Sequence, residues 1–183
     1  WLLSHKQSSF EQSLIVYMII ILQNNESLIY DDFRFKCVIG KAGRTYNKIE
    51  GDKKTPKGTF KLGNIFYRSD RKEKPQSNLK CIKINKKMGW CDDISSKKNY
   101  NRLIKINSKS NLKHEKLFRK DSIYDYLIPI NYNTKQTALG KGSAIFIHLT
   151  NNFKKTLGCI ALKEKDFLIL AKIIKKNSKI RIC

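Results

Sequence analysis

The chain has 183 residues, enough for one domain with a core of its own. Hydrophobic residues make up 40% and charged residues 29%, which excludes disorder of the whole chain. The net charge of +23 suits a polyanionic partner such as nucleic acid, anionic lipid or cell wall. It suits equally a Lys- and Asn-rich composition imposed on any fold, so charge alone selects no function. Five cysteines (Cys37, Cys81, Cys91, Cys159, Cys183) with no CxxC pair exclude a scaffold held only by disulfides. The scattered His5, His114 and His148 give no ligand spacing, so neither a metal site nor a metal cofactor is expected.

In chain order, Leu14–Leu22 is an apolar run too short to span a bilayer, and its branched residues read as a buried strand. No convincing small-residue cleavage site follows it, so no clear signal peptide is read. Met18 could serve as the start, which leaves residues 1–17 as an N-terminal extension and 18–183 as the domain. Leu28–Tyr30, Phe33–Ile39, Thr59–Leu62, Cys81–Ile84, Leu103–Ile106, Tyr124–Ile130 and Ala144–Leu149 have strand composition. Glu50–Gly58, with two glycines and a proline, reads as a structured loop, and Ser69–Ser77 as an exposed one. Two segments read as helices. One is Asn111–Phe118; the other is Glu164–Lys175, where Phe167, Leu168, Leu170, Ala171 and Ile174 recur at helical spacing. Lys179–Ile182 suits a last strand. The expected fold is mostly β with one or two short helices.

The chemistry concentrates in Gly142–Leu162. An apolar strand delivers His148 at its end, a polar loop follows, and Thr156-Leu157-Gly158-Cys159 leads into a second apolar segment. Eleven residues separate imidazole from thiol, room for a return that sets them face to face. A neighbouring imidazole favours the thiolate, which is the nucleophilic form of cysteine. Gly158 permits positive φ, so that the Cys159 amide and a neighbouring amide could face an oxyanion. Pattern alone leaves a second reading open, in which Cys159 is a small buried hydrophobe and His148 a satisfied strand-end residue.

The segment resembles the active-site signature of YkuD-type L,D-transpeptidases, a His, a variable loop and Ser/Thr-x-Gly-Cys, here His148, Thr156, Gly158 and Cys159. Glu50-Gly51-Asp52-Lys53-Lys54-Thr55-Pro56-Lys57-Gly58-Thr59-Phe60 resembles the family's upstream acidic-Thr-Pro-x-Gly-x-Phe loop. Gly89-Trp90-Cys91-Asp92-Asp93, His114-Glu115, Arg119-Lys120-Asp121 and Asn131-Tyr132-Asn133 resemble one compact branch. Together these blocks span roughly residues 35–165. The chain departs from common members at Leu149, at Leu157 and at Ile160-Ala161-Leu162, and its His-to-Cys loop is shorter.

The resemblance implies a β-sandwich-like catalytic domain that cross-links peptidoglycan, with Cys159 as nucleophile and His148 as general base and proton donor. It implies stem peptides as donor and acceptor, no cofactor, and a site in the bacterial periplasm or cell envelope. Gly158 and Thr156 are expected to shape the oxyanion turn. Arg119, Tyr132, Lys141 and Trp90 are candidates for contacts to the stem. Asp92, Asp93, Asp121 and Asp125 are expected to order loops by capping backbone amides. A monomer is expected, with no nucleic-acid partner and no membrane span. A hydrolase that completes the same thioester with water, or a basic polyanion-binding module, are the alternative readings.

Overall fold

A computed structural model describes residues 19–107 and 111–183; residues 1–17, read as an extension, lie outside the described residues. The strands are β1 (Ile19–Leu22), β2 (Ser27–Tyr30), β3 (Phe33–Val38), β4 (Arg44–Thr45), β5 (Thr55–Pro56), β6 (Gly58–Lys61), β7 (Ile65–Tyr67) and β8 (Cys81–Lys83). They continue as β9 (Met88–Cys91), β10 (Leu103–Lys105), β11 (His114–Lys116), β12 (Tyr126–Pro129), β13 (Phe146–Leu149), β14 (Ile160–Leu162) and β15 (Lys179–Ile182). Among the described residues one helix, α1 (Glu164–Ile173), precedes the last strand. This is the mostly β class expected from the sequence. No helix among the described residues is long and apolar enough to cross a membrane.

Ten strands form one sheet in the order β6-β15-β1-β2-β3-β14-β13-β12-β7-β8. The chain from β13 returns to lay β14 parallel beside it, with Ile147 opposite Ile160 and His148 opposite Ala161. Successive side chains of a strand point to opposite faces, so this register sorts the residues. Ile147, Leu149, Ile160 and Leu162 join the large core, where Phe167, Leu170 and Ala171 of α1 also pack. Phe146 and Cys159 face the other way, into a smaller cluster with Phe66, Leu117, Tyr124 and Leu127. His148, two residues beyond Phe146, shares that second face.

The segment read as a helix at 111–118 contains β11 instead. His114, Glu115 and Lys116 pair antiparallel with Cys91, Trp90 and Gly89, in a three-stranded sheet of order β10-β9-β11. Its ladder bonds to β9 decide the backbone, a tertiary contact that outweighs local helical spacing. β7 escapes periodicity for another reason: all three of its residues are buried, so it does not alternate.

Candidate active site

His148 stands opposite Ala161, and Cys159, immediately before β14, takes the Phe146 N–H on its sulfur, so thiol and imidazole lie on the same side of β13. Both line a cleft of about 780 Å³ together with Lys48, Glu115, Arg119 and Tyr124. Cys159 is 9% exposed and His148 7%, so the pair sits in the cleft floor.

The imidazole is fixed by backbone. His148 Nδ1 lies 2.8 Å from the carbonyl oxygen of Leu149, which can only accept. Nδ1 therefore carries the proton and Nε2 is left as the basic nitrogen. Tyr124 sets its ring edge-on to the imidazole at 5.4 Å and to Phe146 at 5.8 Å, closing that side of the ring. The sulfur takes the Phe146 N–H at 3.3 Å and lies 3.3 Å from the Ala144 carbonyl, to which a thiol can donate.

Burial holds both groups neutral. It pushes the Cys159 thiol up to about 12, against the opposing pull of the Phe146 N–H. It also lowers His148 from 6.5 to about 4, against the Leu149 hydrogen bond, with Arg119 adding to the drop. The resting pair is thus thiol and imidazole, and any reaction of the sulfur as a nucleophile would have to accompany proton transfer.

The turn that leads into Cys159 is a built structure. Gly158 has φ 144, and a Cβ there would meet the Lys54 carbonyl oxygen at 3.0 Å. Thr156 Oγ1 donates to the Cys159 carbonyl at 2.6 Å and accepts the Gly158 N–H at 3.1 Å. The Gly158 amide is therefore engaged inside the turn. Thr55, wholly buried, donates to the Gly158 carbonyl at 2.9 Å and accepts the Gly40 N–H at 3.0 Å. Asp52 in the same upstream block accepts from Lys48 Nζ at 2.6 Å and from the Lys54 N–H at 2.8 Å. The Asp-x-x-Thr-Pro block is the mould in which the Cys159 turn is cast. Its residues were visible in the sequence; their contact with a turn 103 positions away was not.

A family model described as the L,D-transpeptidase catalytic domain, YkuD, matches residues 16–182. The chain belongs to the YkuD family. The family is one of L,D-transpeptidase catalytic domains and also holds carboxypeptidases. A comparison with curated proteins finds no match. Among solved structures, Bd1075 of Bdellovibrio bacteriovorus is 14% identical with a TM-score of 0.49, over 93% of this chain and 49% of that one. A point mutant of the helical cell shape determining protein Pgp2 from Campylobacter jejuni is 20% identical with a TM-score of 0.47, over 90% and 46%. The chain spans about half the length of either.

Of the other residues singled out in this YkuD chain, Arg119 lines the cleft, but Glu115 at 3.0 Å and Asp121 at 2.6 Å already hold its guanidinium. Trp90, Tyr132 and Lys141 are not brought to the cleft wall. Trp90 donates Nε1–H to Asn101 at 3.0 Å and backs Phe146 edge-on at 5.2 Å. Tyr132 packs against Phe60 and donates to the Lys141 carbonyl at 2.6 Å. Asp93 and Asp121 accept backbone N–H groups, of Ser95 and Ile123 respectively. Asp125 instead receives Arg71, and Asp92 leaves Oδ1 buried without a hydrogen bond. All five cysteines are free thiols.

Neutral burial of His148 has a measurable acid cost. Its pKa is 6.5 unfolded and about 4 folded, so the unfolded chain binds the proton first as pH falls. That stability is whole above pH 6.5 and drains away toward pH 4, by about 3 kcal/mol. Urea unfolding at pH 7.5 and 4.5 should therefore show a smaller loss in His148→Gln than in the wild type.

Proposed function

We propose that this domain forms L,D cross-links between peptidoglycan stem peptides through a thioester on Cys159. The observation that supports this most is that Cys159 and His148 line one cleft, His148 on β13 and Cys159 just before β14, with the imidazole tautomer set by Leu149. The thiol proton passes to His148 Nε2 as Sγ attacks the carbonyl carbon of the L-centre that precedes the terminal D-amino acid. The oxyanion falls to the Cys159 backbone amide, because Thr156 already holds that of Gly158. Collapse breaks the peptide bond, His148 returns the proton to the leaving amine, and the thioester remains. An amine on a neighbouring stem then attacks, gives its proton to Nε2 and releases the thiol with a new amide bond.

The chain itself supplies both reacting groups, so no cofactor enters the scheme. The site of action is the peptidoglycan layer of the envelope, where these stems are found. Incubation with disaccharide-tetrapeptides tests the reading through its products. Cross-linked dimers with release of one D-amino acid per bond are expected. Tripeptides without dimers would replace the transferase by a carboxypeptidase, and untouched substrate would remove both.

A further inference from the structure

Between Lys116 and Tyr126 the chain has no strand or helix, yet it borders the imidazole. Such a segment lacks ladder partners for its carbonyls, which must be met by other donors. Here two guanidinium groups from the turn after β7 meet three consecutive ones. Arg68, 4% exposed, donates Nη1–H to the Arg119 carbonyl and lies 3.6 Å over the Phe118 ring. Its remaining donors hold Asp70 at 2.8 and 2.7 Å. Arg71 donates to the Lys120 carbonyl at 3.1 Å and to the Asp121 carbonyl, and its Nε bonds buried Asp125 at 2.7 Å. The Asp125 carbonyl in turn accepts the Arg68 N–H at 2.9 Å.

The fastened segment reaches the imidazole by two routes. The Ile123 carbonyl accepts the Leu149 N–H at 3.0 Å, and the carbonyl of that same Leu149 holds His148 Nδ1. Tyr124, next in sequence, supplies the ring that lies edge-on to His148. None of Arg68, Arg71 and Asp125 lines the cleft. We infer that Arg71, with Arg68 and Asp125, is a positioning residue for His148, acting through segment 119–125 and the Leu149 peptide. The inference deepens the proposed acyl transfer and rests on it for its kinetic readout alone.

Arginine is required because one planar fork reaches two carbonyls and a carboxylate together, which a lysine ammonium on a single stem does not. The test compares wild type, Arg71→Met and Arg71→Lys. It reads the His148 tautomer by nitrogen-15 NMR and kcat and KM for tetrapeptide acylation. Arg71→Met is expected to lower kcat about tenfold, with KM within about twofold, because the base is misplaced while the cleft is intact. Its His148 should lose the single Nδ1–H tautomer, and Arg71→Lys should recover part of both signals. If Arg71→Met does not fold, Arg71→Lys alone carries the comparison, with a smaller change in the same direction. A lower melting temperature with unchanged tautomer and kcat would overturn the inference, leaving a merely structural clamp. If wild type fails to acylate while the tautomer still depends on Arg71, the acyl-transfer reading fails and the positioning role stands.

Discussion

Cys159→Ala is expected to abolish acyl-enzyme formation, and His148→Ala to slow it by about 10²–10⁴-fold. The two losses differ because the residues fail in different ways. Without the sulfur no thioester can form. Without the imidazole the sulfur remains, but as a buried thiol pushed up to about 12. Almost none of it is thiolate at neutral pH, so the variant needs a water to take the proton. Raising the pH should therefore rescue His148→Ala in part and leave Cys159→Ala inert. Stopped-time mass spectra with the tetrapeptide donor, from pH 6 to 10, would separate the two behaviours.

Gly158→Ala should rank next, since it damages stability and rate together. An alanine at φ 144 is strained by about 1–3 kcal/mol whatever its surroundings. Its methyl would also stand 3.0 Å from the Lys54 carbonyl, a backbone atom anchored through Asp52 and unable to swing aside. The turn must then move, and Cys159 is the next residue along it. A misplaced nucleophile costs about 10²-fold in rate. Thermal melting should fall by about 5 °C, as expected for a chain of this size. Gly43→Ala is the control, because Gly43 also has positive φ, at 82, with open space where its Cβ would be. It should lose stability and keep its rate.

Parts of this molecule were legible from residue order. The helix around Phe167, Leu170 and Ala171 was, because its buried face recurs every third or fourth residue. Strands β2 and β3 were, through their strand composition, and so was the last strand, where apolar and polar residues alternate. His148 and Cys159 stood out through spacing and resemblance, but spacing could not say that their strands run parallel and adjacent. That register is what turns both side chains to the same face. β11 was misread because three paired residues carry too little periodicity to outvote their neighbours.

What stayed hidden at the site is backbone and long-range contact. The group that selects the His148 tautomer is a carbonyl, which every residue possesses and no side-chain pattern marks. Thr55 could be matched to a block, yet its work is a hydrogen bond to Gly158 from the far side of the chain. Arg71 drew no notice in a chain with 38 basic residues, where one more cation carries no information. Conversely Trp90 and Tyr132 looked available for substrate and are engaged elsewhere, while Lys141 is exposed and does not line the cleft.

Intact-mass spectrometry with peptide mapping, after a brief exposure to a disaccharide-tetrapeptide without an acceptor amine, examines the sulfur itself. The account predicts one added stem, shortened by its terminal D-amino acid, bound as a thioester to the peptide holding Cys159. An unmodified protein under conditions where the substrate is bound, or an adduct on Cys37, Cys81, Cys91 or Cys183 instead, would contradict it.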